Sequence, residues 1–398
     1  MPADPSQQFP SWCEVDAAAL RANVAMLRRQ LSSGSLLGVV VKSDAYGHGL
    51  LPCAREFLAA GADWLVLNSA AEVQALRSAG IASPLYICGP VFPSQAGLVA
   101  QAQARVVLYD RALALALDRA GQTQGQPVRV HLKIETGTSR QGLSLDQALE
   151  LALFVKGLPG LELEGLTTHY ADIEDTTDHR YAQQQQDLLQ EATAAFAAQG
   201  LTVGMVHAAN SAATLLWPQT HASLVRVGIA AYGLWPSRET YAVALQRCVD
   251  QAASWVPQLQ PVLSWRARLV QVKEVPAGAY IGYGRTFRTT HPTRIGVLPV
   301  GYYEGYDRRL SNVAHVLVRG VRAPVRGRVC MNMLMVDLTH IPQAQAGEVA
   351  TLLGWDGEEE ISAETMAGWM GTINYEVIAR IHPGQPRLLR REDGLYET

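Results

Sequence analysis

The alternation of apolar and polar positions divides the chain into two parts. Over roughly the first 230 residues, apolar runs at 36–41, 64–67, 85–88, 105–108, 128–134, 161–168, 205–208 and 224–227 read as eight strands. Between them lie stretches with apolar residues at helical spacing, among them 70–79, 145–155 and the glutamine-rich 181–198. A further helix is expected over 17–31, capped by Asp16, with Leu20, Val24 and Leu27 on one face. Eight strand–helix alternations in about 230 residues predict a (β/α)8 barrel, near the usual size of that fold. A doubly wound open sheet is the competitor. Neither a G-x-G-x-x-G turn nor a phosphate loop ending in Gly-Lys-Ser/Thr supports it.

Residues 245–261 break the alternation, with two prolines and little regular pattern. Beyond them the character changes. Runs at 263–275, 294–298, 315–318, 333–338 and 348–353 read as strands separated by glycine, proline or polar turns, interrupted by one helix near 362–370. The expected organisation is an α/β barrel over 12–248 followed by a mostly-β domain over 249–398, with the first strand free to pack against the second domain.

Composition narrows the function classes. At 398 residues the chain is too long for one ordinary core, and 17% charged against 48% hydrophobic residues suits much buried surface. A net charge of −3 without a concentrated basic run gives no reason to expect nucleic acid. No apolar run approaches membrane-spanning length, and the polar, proline-containing residues 1–10 do not resemble a signal peptide. Five dispersed cysteines, none at zinc-site spacing, fit reduced thiols, so a cytoplasmic location and no metal are expected.

The chemistry centres on Val39-Val40-Val41-Lys42-Ser43-Asp44-Ala45-Tyr46-Gly47-His48-Gly49, where a β-branched run delivers a lysine to a strand end and a glycine-punctuated turn follows. Lysine is scarce: only Lys42, Lys133, Lys156 and Lys273 occur. Neutralising an ordinary ammonium at pH 7 costs about 4–5 kcal/mol, so a nucleophilic lysine needs desolvation or cationic neighbours. On the expected barrel, Lys42, Glu135, Arg140, His169, Asn210, Ser211, Arg226 and Gly228 all fall at carboxyl ends of strands, the face where such barrels work. Gly228 offers backbone N–H groups to an anion, and Asn210-Ser211 opens a helix that favours phosphate. A phosphorylated aldehyde joined to Lys42 satisfies both features, and pyridoxal phosphate is the candidate.

With these residues in view, the chain strongly resembles the alanine racemases over nearly its whole length. The stretch Val41–Gly49 looks like their cofactor-lysine signature. His207-Ala208-Ala209-Asn210-Ser211, Arg226-Val227-Gly228-Ile229, Ile281-Gly282-Tyr283-Gly284, Gly301-Tyr302, Val329-Cys330-Met331 and Ile373-Asn374-Tyr375-Glu376 fall where that family places its own motifs. The resemblance implies a barrel carrying pyridoxal 5′-phosphate, a β domain, and a homodimer whose active site borrows residues from the partner. It implies that Lys42 and Tyr283 are opposed bases, Tyr283 reaching in from the other subunit. Tyr46, His169, Asn210, Ser211, Arg226, Gly228, Ile229 and Tyr375 would surround the cofactor. Arg226 would face its pyridine nitrogen and, having donors only, would leave that nitrogen unprotonated. Arg140, Tyr302 and the Met331 amide would hold the substrate carboxylate, and Lys133 matches a position often carbamylated. The implied reaction is interconversion of L- and D-alanine, with D-alanine going to peptidoglycan.

Two departures bear on substrate. Where the family usually has Asp-Thr-Gly-Met-Gly-Arg the chain reads Glu135-Thr136-Gly137-Thr138-Ser139-Arg140, and where aspartate usually follows Cys-Met it has Asn332. Racemisation of serine or other small amino acids is therefore the alternative. Less favoured readings are a barrel-fold decarboxylase, invited by Cys330, and a non-catalytic cofactor carrier, against which the β domain counts.

Overall fold

Runs such as Leu36–Val40 and Trp64–Leu67 lack polar alternation, as strands covered on both faces should. The computed structural model describes residues 5–250 and 257–397. The chain divides into two compact units, Leu20–Ser43 with Cys53–Gln260, and Met1–Ala19 with Asp44–Pro52 and Pro261–Thr398.

In the first unit the strands Leu36–Val40, Trp64–Leu67, Leu85–Ile87, Arg105–Leu108, Val128–Lys133, Leu161–Thr167 and Met205–His207 pair successively in parallel, with Leu224–Val227 beside Leu36–Val40. Ser223 N–H to Val206 O (3.1 Å) and Arg226 N–H to Ala209 O (2.9 Å) bridge the remaining gap. The result is a nearly closed eight-stranded barrel, as the alternation predicts. Three of its helices start on capping side chains: Ser69 caps Ala70–Ser78, Asp110 caps Arg111–Gln124 and Ser144 caps Leu145–Lys156.

The second unit contains one large sheet in the order Val321–Pro324, His315–Val318, Val349–Asp356, Leu263–Arg268, Ser11–Asp16, Arg387–Arg391 and Gly394–Glu397, with Glu359–Ile361 off Val349–Asp356. Ser11–Asp16 lies antiparallel to Leu263–Arg268 and parallel to Arg387–Arg391. A three-stranded sheet joins Gln271–Val275, Thr293–Leu298 and Leu334–Asp337, and a ribbon pairs Tyr280–Ile281 with Phe287–Arg288.

Three expectations need correction. Residues 245–261 are not patternless throughout, because the helix Arg238–Asp250 runs into them; it buries only Thr240 and Ala244, so its periodicity is faint. Residues 251–256 of that stretch lie outside the described residues. The single run 263–275 is two strands in different sheets. Leu269 N–H bonds Glu348 O and Val270 N–H bonds Val297 O, so the chain changes partners between adjacent residues without a glycine or proline. Finally, the one expected helix, Ala363–Met370, is followed by a second, Asn374–Ala379, six residues being too short to show a period.

Candidate active site

Lys42 sits just past the strand Leu36–Val40 and opens a helical turn, Lys42–Gly47, whose hand is unusual. Ser43, Asp44, Ala45 and Tyr46 all have positive φ, 52° to 56°, making the turn left-handed, at a cost of about 1–2 kcal/mol per residue. Local bonds offset this. Ser43 N–H donates to Glu72 Oε1 (2.7 Å), Leu50 N–H to Asp44 Oδ1 (2.8 Å), and Gly49 N–H to Asp44 O (2.9 Å). Within the second unit, buried Arg387 donates from Nε (3.0 Å) and Nη2 (2.9 Å) to Gly47 O. A Cβ at Gly47 would lie 2.3 Å from Ile378 O, so only glycine fits. The turn also places the Tyr46 ring 6.2 Å from that of Tyr375. The glycine-punctuated turn expected after Lys42 is thus a left-handed helical turn clamped at Gly47.

In the barrel unit, cations gather around His169. Its pKa is held well below the usual histidine range, first by burial and then by Arg226, Lys133, Arg140 and Lys42. Lys133, buried at the end of Val128–Lys133, has its pKa lowered to about 7 by burial, with Arg226 and Arg140 adding to the effect and Cys88 opposing it. Arg140 is itself exposed, on a loop organised by Glu135. The Glu135 carboxylate accepts the Gly137 and Thr138 N–H groups, both at 2.6 Å, and Thr138 Oγ1 donates to His169 O (2.7 Å). Those backbone bonds hold the Glu135 carboxyl below its ordinary pKa although burial pushes it upward. Ser139 takes a left-handed φ of 52°.

Arg226 is almost fully buried at the end of Leu224–Val227. Nη2 donates to Thr168 O (2.9 Å) and Ala208 O (3.1 Å) and lies 3.4 Å from His169 Nδ1. Nη1 donates to His207 Nδ1 at 2.5 Å. Because arginine has no acceptor, His207 must carry its proton on Nε2, which faces His131 Nδ1 at 2.7 Å. His131 Nε2–H then donates to Glu164 Oε2 (2.7 Å), and Glu164 receives Arg105 Nε (2.7 Å) and Nη2 (3.0 Å). Burial foremost lowers the pKa of both rings, so the chain runs from Arg226 to Glu164 through two neutral histidines.

Ser211 Oγ accepts from Gly228 N–H (3.0 Å) and Ala230 N–H (3.3 Å), bringing Ser211, Gly228 and Ile229 together at the helix Ser211–Leu216. Asn210 caps that helix through Oδ1 to Ala213 N–H (3.0 Å) and donates to Glu174 Oε1 (2.7 Å). In the second unit Tyr283 stands on the tip joining Tyr280–Ile281 to Phe287–Arg288, flanked by Gly282 and Gly284 at positive φ, with 73% of its surface exposed. Tyr302 N–H bonds Cys330 O (3.0 Å), which sets Tyr302 beside Met331. Cys330 is half-buried.

The chain matches the family model described as alanine racemase, N-terminal domain, over residues 15–236, and the alanine racemase C-terminal domain over 262–389. A curated relative named alanine racemase from Symbiobacterium thermophilum is 40% identical over 378 residues, 95% of this chain and 96% of its own. Another from Desulfovibrio desulfuricans is 38% identical, over 95% and 98% of the two chains. The chain belongs to the alanine racemase family. Among solved structures, the alanine racemase from Streptomyces coelicolor superposes with a TM-score of 0.88 at 34% identity, covering 98% of this chain and 100% of that one. That from Bacillus anthracis, with bound L-Ala-P, gives 0.88 at 32% identity, covering 98% and 97%. Its membership of the racemase family makes the chain an isomerase. Among the described residues no helix is long and apolar enough to cross a membrane.

For this racemase-family chain, sequence reasoning passed over His131, His207, Glu164 and Arg105 as working residues. The signal was present for His131, a histidine inside the apolar run 128–134, but its partners lie 33 and 76 residues away. Arg387 was equally invisible, since its acceptors are backbone carbonyls.

Proposed function

We propose that the chain interconverts L-alanine and D-alanine, with pyridoxal 5′-phosphate held on Lys42 and with Lys42 and Tyr283 as bases on opposite faces of the α-carbon. The observation that carries this reading is the gathering of Lys42, Lys133, Arg140 and Arg226 about His169 at the carboxyl end of the barrel. That cluster of cationic side chains, with Lys133 and Arg226 buried, fits a phosphorylated, anionic cofactor. When bound, the cofactor supplies an electron sink that acidifies the substrate α-C–H.

The chain's own groups divide the remaining work. Lys42 Nζ takes or returns the proton on one face, and the Tyr283 hydroxyl does so on the other. Ser211, Gly228 and Ile229 would receive the phosphate with Tyr46 and Tyr375, the Gly228 N–H holding Ser211 Oγ in place, while Asn210 and His169 would shape its surroundings. Arg226, held by His207, Thr168 O and Ala208 O, would face the pyridine nitrogen, and, having donors only, would leave it without a proton and so limit side reactions. Arg140, Tyr302 and the Met331 N–H hold the substrate carboxylate. Lys133, with its lowered pKa, is the amine to form a carbamate: its nitrogen bonds the carbon of CO2, releases a proton, and becomes an anion between Arg140 and Arg226. The active form is a homodimer in which a second copy supplies Tyr283, acting in the cytoplasm to provide D-alanine for peptidoglycan. The altered 135–139 loop and Asn332 make serine the alternative substrate to compare.

Borohydride reduction of the loaded protein should mark Lys42. Lys42→Ala should abolish the cofactor's visible absorbance and nearly all turnover. Tyr283→Phe should slow α-deuterium exchange of L-alanine in heavy water far more than that of D-alanine. Equal, small losses in both directions would refute the two-base assignment.

A further inference from the structure

Two short segments of the second unit are sewn together along their backbones. Tyr302 N–H donates to Cys330 O (3.0 Å) and Tyr303 N–H to Met331 O (2.9 Å), while Cys330 N–H closes its own turn on Met333 O (2.8 Å). Gly301 lies so close that an added Cβ would sit 2.2 Å from Cys330 O and 2.4 Å from Met331 O. The corner of this turn is Met331-Asn332, and Met331 N–H donates to no acceptor among the described residues. One carboxylate fastens both segments. Glu304 Oε2 accepts from Gly301 N–H (2.8 Å), and Glu304 Oε1 accepts from Asn332 Nδ2 (2.7 Å). The Glu304 carbonyl receives His382 N–H (3.0 Å), which fixes the backbone from which the carboxylate extends.

The clasp explains the asparagine at 332. An ionised aspartate there has no proton to donate and would bring a second negative charge within hydrogen-bonding distance of Glu304. Asparagine keeps the shape and supplies the donor. We propose that Glu304 and Asn332 are matched positioning residues that set the Met331 N–H and the Tyr302 hydroxyl for the substrate carboxylate. This rests on the reading that Tyr302 and Met331 bind that carboxylate. Neither clasp residue touches the reacting atoms. They act by fixing the turn whose corner is the Met331 amide.

The test uses the full-length, cofactor-loaded enzyme, with alanine in both directions and propionate, a short carboxylate lacking the amine, as competitive inhibitor. Asn332 is exposed, so Asn332→Asp should fold with unchanged cofactor absorbance. It should raise KM for alanine and Ki for propionate about five- to tenfold while kcat stays within about twofold, as expected for lost ground-state binding. Adding Glu304→Gln to the same chain should restore both constants, because glutamine offers an N–H to the new aspartate and a carbonyl oxygen to Gly301. Unchanged KM and Ki in Asn332→Asp, or no recovery in the double variant, overturns the pairing. A wild-type Ki for propionate that Tyr302→Phe leaves unaltered overturns the carboxylate assignment beneath it.

Discussion

Lys133 is the side chain whose chemistry its surroundings alter most clearly. Ordinary lysine titrates near 10.5; here burial, Arg226 and Arg140 bring the value to about 7. Native Lys133 therefore sheds its proton near pH 7 while the unfolded chain holds it to about 10. Between those limits the unfolded state binds more protons, so stability contributed at this site rises with pH from about 7 to 10. Below pH 7 both states are protonated and the penalty for burying the charge is fully present. In CO2-free buffer, denaturant midpoints at pH 7 and pH 9 should differ less in Lys133→Met than in the parent chain. Equal differences in the two chains would place the native proton loss elsewhere. Burial lowers the Arg226 pKa too, but from so high a starting value that the guanidinium keeps its charge; surrounded by acceptors, it acts as a fixed donor.

Among elements, the barrel strands do more than space the rim residues. Val128–Lys133, Leu161–Thr167, Met205–His207 and Leu224–Val227 turn His131, Glu164, His207 and Arg226 onto one line of hydrogen bonds. Glu164 sets the direction of that line, because it can only accept. Glu164→Gln loses the anion beside Arg105, and one of its two acceptor positions becomes an N–H2 group. Facing Arg105, that group leaves a guanidinium N–H without an acceptor; facing His131 Nε2, it reverses both ring protons and presses a His207 Nδ1–H against Arg226. The variant should lose about 1–3 kcal/mol of stability, the usual cost of an unsatisfied buried polar group. Nitrogen NMR should find the His207 proton on Nε2 in the parent chain. An unchanged tautomer and midpoint would remove Glu164 from this role. The turn Lys42–Gly47 teaches a related lesson at shorter range, since its left-handed backbone is held by Glu72 on Ser43 N–H, by Asp44 and by Arg387 on Gly47 O.

At the scale of the whole molecule, the second unit leaves Tyr283, Tyr302, Tyr303, Met331 and Ile373 exposed, a set of large apolar side chains that suits coverage by another copy. If a second copy supplies Tyr283, two inactive variants should complement. Mixing Lys42→Ala with Tyr283→Phe under conditions that exchange subunits gives half heterodimers, each with one intact site. Activity should recover to about a quarter of the parent value under random pairing. No recovery despite demonstrated exchange would mean that both bases come from one chain.

Much of the barrel could be read directly from residues, because each buried parallel strand is a local apolar run and each helix has its own period and cap. Lys42, His169, Asn210, Ser211, Arg226 and Gly228 could be placed at strand ends for the same reason. The split of 263–275 could not be read, because its cause is a change of partner between Leu269 and Val270 that involves residues 297 and 348. The hand of the turn after Lys42 escaped too, since a left-handed conformation of four non-glycine residues is paid for by contacts far along the chain.

What the sequence by itself determined is which chemical groups exist and at which strand ends they emerge, since periodicity and strand length are properties of neighbouring residues. Only the tertiary structure decided their protonation, tautomer and orientation. Those depend on burial and on charges brought from distant segments: Glu164 to His131, Arg387 to Gly47, and Glu304 to Asn332. An amine becomes reactive, or an amide becomes a receptor for a carboxylate, through the field and contacts around it, and these arise only when the chain closes on itself.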